Sequence, residues 1–116
     1  MPDLYDERRQ EPRFRTSGEA AFEVQGRTYR GEVLDLSLNG LKVARPVEFD
    51  LHEGARFKLS LHIPNTDAFV AEVLLVHAEG AHLGLEFYDM PPRDFGLLAG
   101  LIEQYARLRR QAARSP

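Results

Sequence analysis

Between residues 19 and 90, hydrophobic and polar positions alternate with a period of two, in short runs separated by turn-forming residues. The run RFKLSLHI shows the pattern most clearly, with Phe57, Leu59, Leu61 and Ile63 alternating with Lys58, Ser60 and His62. Such a period sends one set to each face of a pleated strand. AAFEVQ and RTYRGEVLDL read as two strands joined by a tight turn at Gln25-Gly26, and LKVARPV follows a strong turn signal at Asn39-Gly40. RFKLSLHI, a turn at PNTD, AFVAEVLLVHAE, a turn at Glu79-Gly80 and AHLGLEFYD complete a set of six strands. Within the second strand, alternation groups Val33 with Asp35 and Ser37 on one side, and Leu34 with Leu36 and Leu38 on the other. Six short strands with compact turns predict an antiparallel barrel or sandwich.

The period changes after Pro91-Pro92. Phe95, Leu98, Leu101, Ile102, Tyr105 and Leu108 fall on one helical face, and Arg107, Arg109, Arg110 and Arg114 gather at the helix end, where cations complement its dipole. A helix over 91–113 is expected to pack on the barrel. Residues 1–18 read instead as a mobile N-terminal arm, because Pro12 has no N–H to donate and pushes Glu11 towards an extended conformation. The expected organisation is one domain: an arm over 1–18, a barrel over 19–90 and a helix over 91–113.

Composition narrows the function more than it narrows the fold. At 116 residues, 43% hydrophobic and 28% charged, the chain suits a single modest core. Its net charge of -3 does not attract nucleic acid or anionic lipid in bulk, so any anion binding has to be local. With no cysteine, disulfides, thiolate metal sites and a cysteine nucleophile are excluded. No apolar run is long enough for a bilayer and the charged N-terminus lacks a signal-peptide core, so a cytoplasmic location without membrane insertion is expected.

The search for catalytic chemistry finds little. There is no GxSxG elbow, no phosphate-binding glycine loop, and no HExxH or other tight metal spacing among His52, His62, His77 and His82. His77 and His82 flank a hairpin and read as a surface pair. An enzyme is therefore not expected, nor a metal or cofactor.

Two segments remain. Arg8, Arg9, Arg13 and Arg15 crowd the arm, and Asp35-Leu36-Ser37-Leu38-Asn39-Gly40 occupies a turn between strands. A guanidinium can grip phosphate through two parallel N–H bonds or stack on a flat base. The Asp35 carboxylate can accept from a guanine N1–H and its exocyclic amine together, with Ser37 as a small donor and acceptor. Gly40 permits a positive φ and a close approach of a ring to the backbone. Each segment also has a plainer reading. Asp-x-Ser beside Asn-Gly satisfies a hairpin's own backbone through Asx and Ser turns, and arginines on a tail can simply be solvated.

In this order and against six strands, the two segments resemble the PilZ domain, a bacterial receptor module for cyclic di-GMP. Its motifs RxxxR and [D/N]xSxxG stand here as Arg9-Gln10-Glu11-Pro12-Arg13 and as Asp35 to Gly40, and LGLEF, Leu83 to Phe87, is similar to its closing strand. The resemblance implies a six-stranded antiparallel PilZ-type β-barrel with a C-terminal helix and an arm crossing the barrel mouth. It further implies that Arg9 and Arg13 contact the phosphates and guanine of the ligand, while Asp35, Ser37 and Gly40 line the guanine pocket. Arg8, directly before RxxxR, is the candidate for a second ligand molecule, giving two cyclic di-GMP per chain as an intercalated dimer. The implied function is an adaptor that shows an altered surface to an effector protein. An interaction module of pilus or motility machinery without nucleotide is the alternative. A nucleic-acid-binding barrel is disfavoured by the net charge of -3 and the absence of tryptophan. Arg15 and the basic helix end receive no role.

Overall fold

The computed structural model describes residues 12–78 and 80–114. Arg8 and Arg9 lie outside the described residues, as does Glu79. The strands are β1 (Phe14–Arg15), β2 (Glu19–Val24), β3 (Arg27–Leu36), β4 (Gly40–Ala44), β5 (Arg56–His62), β6 (Phe69–His77) and β7 (His82–Asp89), followed by helix α1 (Pro92–Arg114).

All pairings are antiparallel, and they run β3-β2-β5-β6-β7-β4 before closing through β3–β4 into a six-stranded barrel. The seventh strand, β1, is an addition to the six expected from alternation. It pairs Phe14 with Leu36 and Arg15 with Asp35, continuing along β3 beyond the end of β2. Two residues are too few to show a period, which is why the run of arginines hid it.

Inside the barrel, Phe22, Val33, Leu36, Leu41, Val43, Leu59, Leu61, Val73, Leu75, Leu83 and Leu85 are buried. Its two ends are closed differently. Phe49, from the loop after β4, packs against Phe22, Tyr29 and Phe57 with ring centroids 5.3 to 6.0 Å apart. Arg45 holds that loop, donating to the carbonyls of Phe49 (3.0 Å), Gly80 (2.8 Å) and Ala78. At the opposite end, where Leu61 pairs with Phe69, α1 supplies Leu98, Leu101 and Ile102 to the core.

The apolar face of α1 is narrower than its period suggests, because Phe95 and Leu108 are exposed. Asp94 is buried instead, its Oδ2 accepting the backbone N–H of Val70 at 2.8 Å and so fixing the helix start to the beginning of β6. Further along, the Tyr105 hydroxyl meets Thr16 Oγ1 at 2.5 Å and its ring lies 5.8 Å from Phe14.

Of three register shifts in the ladders of the described residues, one lies between Glu72 and Val73, and the other two decide which side chains near the DLSLNG turn face outward. Those two fall between Val33 and Asp35 on the β3–β4 ladder and between Leu75 and His77 on the β6–β7 ladder. A bulge inserts one residue and reverses the facing of everything beyond it. The face assignment by strict alternation is therefore corrected. Val33 and Leu36, three apart, are both buried, while Leu34 and Asp35 are partly exposed. On β6, Phe69, Ala71, Val73 and Leu75 point inward, but Val76 and His77 are both exposed.

Candidate functional site

The DLSLNG turn divides its labour among three residues. Ser37 is 1% exposed, and its Oγ accepts the N–H groups of Asn39 (3.1 Å) and Gly40 (3.2 Å) while its own backbone N–H donates to the Gly40 carbonyl at 2.8 Å. The Oγ also lies 3.3 Å from the Gly40 carbonyl oxygen, to which it can donate. This hydroxyl is committed to the turn, which is the plainer of the two readings open from sequence.

Gly40 does not take up a positive φ, so the conformational reason expected for it is corrected. Its reason is proximity, since a Cβ there would stand 2.0 Å from the carbonyl oxygen of Leu85 on β7. The turn docks on the same strand through Phe87 N–H donating to the Asn39 carbonyl at 2.8 Å. Asp35, turned outward by the bulge, is the member of the motif left facing solvent.

Asp35 meets the arm directly. The Arg13 guanidinium donates to its Oδ1 at 2.6 Å, joining the two sequence motifs in one ion pair across 22 residues. Half of the Arg13 side chain (53%) and a fifth of Asp35 (19%) remain exposed, so the pair is accessible to a ligand and adds only about 0–1 kcal/mol to stability. Of the candidate residues, the structure brings Arg13 and Asp35 together, places Ser37 and Gly40 beneath them as support, and leaves Arg8 and Arg9 undescribed.

Cross-strand register extends this pair into a row. Arg15 on β1 pairs with Asp35 on β3, Asp35 with Lys42 on β4, Lys42 with Gly84 on β7, and Gly84 with His77 on β6. With strands about 4.8 Å apart, the stretch from Asp35 to His77 spans about 14 Å. Gly84 forms a bare floor in the middle, and a Cβ there would lie 3.1 Å from the Cβ of His77. A groove of about 310 Å³ lies over this floor, lined among others by Arg13, Lys42, His77 and His82. The sequence pattern alone does not assign Lys42, His77 or His82 to the site. Period-two alternation marks Lys42 as outward, but only register places it between Asp35 and Gly84, and alternation along β6 aims His77 inward.

On the other side of Arg13 a cleft of about 550 Å³ separates β1 from α1, lined by Arg13, Phe14, Arg15, Tyr105, Leu108 and Arg109. Arg109 stacks over the Phe14 ring, 4.0 Å from its centroid, and donates to the Arg13 carbonyl at 2.6 Å. The basic helix end thus has a structural task, anchoring the root of the arm. Among the described residues, no group of three His, Asp or Glu is arranged to hold a metal, and no helix is long and apolar enough to cross a membrane.

Comparison with known proteins agrees with this fold. The model of the PilZ domain matches residues 7–104. Among solved structures, the PilZ domain of YcgR from Escherichia coli with c-di-GMP superposes with a TM-score of 0.72 at 22% identity, covering 94% of this chain and 99% of that one. A structure of YcgR in complex with c-di-GMP from the same organism gives a TM-score of 0.76 at 23% identity, over 91% of this chain and 49% of the other. The Bacillus subtilis inhibitor of motility (MotI/DgrA) gives 0.72 at 18% identity, over 93% and 53%. The chain spans about half the length of these last two proteins. At such identities the likeness is one of fold. No curated protein matches the chain.

Proposed function

The chain belongs to the PilZ domain family, and from that premise we propose that it is a receptor for cyclic di-GMP, the ligand named for the YcgR structures. The observation that carries this reading is the outward row Asp35–Lys42–Gly84–His77 with the Arg13 guanidinium set over one end of it. A cyclic dinucleotide is a flat, dianionic molecule with two guanine edges. Asp35 offers the acceptor that a guanine N1–H and amine need, Gly84 leaves room for a ring against the sheet, and Arg13 and Lys42 offer cations to the phosphodiesters.

In this reading Arg13 and Asp35 exchange part of their mutual bond for bonds to ligand, and Arg9 adds a second guanidinium from the same arm. Arg8 holds a second nucleotide intercalated with the first, giving two molecules per chain. Ser37 and Gly40 act from below, keeping the turn shaped and seated on β7, and touch the ligand little or not at all. Ligand draws the segment carrying Arg8 and Arg9 onto the barrel. Because Arg13 is joined to α1 through Arg109, the surface around the β1–α1 cleft changes with it, and an effector protein reads that change.

Isothermal titration of the full chain with cyclic di-GMP tests the reading. Saturable binding at micromolar affinity or tighter, with about two equivalents taken up, is expected from a few charge-assisted bonds of roughly 1.5–3 kcal/mol each. Saturation at one equivalent removes the second nucleotide and the role of Arg8. No binding to folded protein overturns the receptor itself.

A further inference from the structure

The histidines of the groove are not accounted for by the arginine clamp. His77 is turned outward by the β6 bulge and crosses the bare backbone of Gly84. His82 lies two residues before Gly84 on β7, so its side chain leaves the same face of the sheet. Both line the groove with Arg13 and Lys42. We propose that His77 and His82 are ligand-contacting residues of this groove, forming a protonatable phosphodiester contact opposite Arg13, so that nucleotide binding takes up protons. This inference rests on the reading of the groove as the cyclic di-GMP site.

Charge and position both favour that role. An imidazole is the side chain whose ordinary titration lies near neutral pH, and it becomes a donor at both nitrogens when protonated. The charged groups facing the pair carry both signs. Lys42 comes from β4 and Arg13 from the arm, and Arg45 is fastened to the carbonyls of Ala78 and Gly80 at the hairpin. The described carboxylates nearby are Asp35, held by Arg13, Glu53, whose Oε2 accepts the Ala78 N–H at 3.4 Å, and Glu86, two residues beyond Gly84 on β7.

A phosphodiester laid across Gly84 places negative charge beside both imidazoles, so ligand and protons favour one another. Cyclic di-GMP has no group of its own that titrates between about pH 5.5 and about pH 8, so the linkage reports the protein. His52 and His62 line no part of the groove and act as internal controls.

The test is titration calorimetry of cyclic di-GMP into the full chain at steps from about pH 8 to about pH 5.5, repeated in buffers of different ionisation enthalpy. Affinity is expected to tighten about tenfold across that range, with buffer-dependent heats that report net proton uptake. His77→Gln and His82→Gln each reduce the tightening, and the double variant binds with an affinity flat in pH. His52→Gln and His62→Gln keep the full dependence. Far-ultraviolet dichroism and a melting curve establish that each variant is folded.

Binding that is flat in pH for the parent chain, or undiminished pH dependence in the double variant, overturns the role of the histidines while leaving the receptor reading intact. Absence of binding at every pH overturns both.

Discussion

Asp35 and Ser37 stand two residues apart in one motif, yet mutation should separate them cleanly. Asp35 and Arg13 form a partly exposed pair, so removing either costs little in folding, about 0–1 kcal/mol. In the complex each makes charge-assisted bonds of roughly 1.5–3 kcal/mol. Arg13→Ala is therefore expected to weaken cyclic di-GMP binding on the order of 100-fold or more, with a urea midpoint close to that of the parent chain. Retained affinity would remove Arg13 from the site. For Ser37→Ala the ranking inverts. The N–H groups of Asn39 and Gly40 lose their acceptor in a buried turn, and unfolding free energy is expected to fall by about 1–3 kcal/mol. Its affinity, measured on the fraction that remains folded, should stay within a few-fold of the parent value. A large loss of affinity in stably folded Ser37→Ala would restore the hydroxyl as a ligand contact.

At the scale of elements, the six barrel strands were legible because a half-buried strand must alternate and a turn must use residues that tolerate its dihedrals. What alternation could not show is where it breaks. The two bulges leave no mark in composition, yet they turn Asp35 and His77 outward and so build both ends of the row. Arg13 and Asp35, which the structure joins in an ion pair, both stand in motifs visible in the sequence. Lys42 and His77 do not, since they come within reach of Arg13 only through cross-strand pairing of residues far apart in the chain. Helix α1 was placed by its period, but its anchor was not, because a charged residue at the first turn looks like a dipole partner rather than a buried acceptor. Asp94→Ala should cost about 1–3 kcal/mol in urea unfolding, as Val70 N–H is left without its partner. The neighbouring Arg93 makes only long contacts of 3.7 and 3.9 Å from an exposed position. Arg93→Ala should therefore change stability by less than about 0.5 kcal/mol. Equal effects from the two would mean that the helix is held by surface charge and not by the buried bond.

For the whole molecule, the decisive quantity is how binding couples to folding. The row joins β3, β4, β7 and β6 across the closure of the barrel, and Arg13 links it through Arg109 to α1. A ligand that spans these elements binds the native state and has no such surface in the unfolded chain, so it stabilises by RT ln(1 + [L]/Kd). At a free concentration one hundred times Kd this amounts to about 2.7 kcal/mol. A domain of this size responds with several degrees of melting temperature per kcal/mol, so cyclic di-GMP is expected to raise Tm by on the order of 10 °C. GMP, which reaches only one end of a row about 14 Å long, should give a much smaller shift at the same concentration. Arg13→Ala should cut the shift several-fold or more while keeping the ligand-free Tm. Differential scanning calorimetry of the parent chain and Arg13→Ala with both nucleotides measures all of these together. A shift that GMP reproduces in full would mean that a single guanine pocket carries the affinity and that the row is not read as a unit.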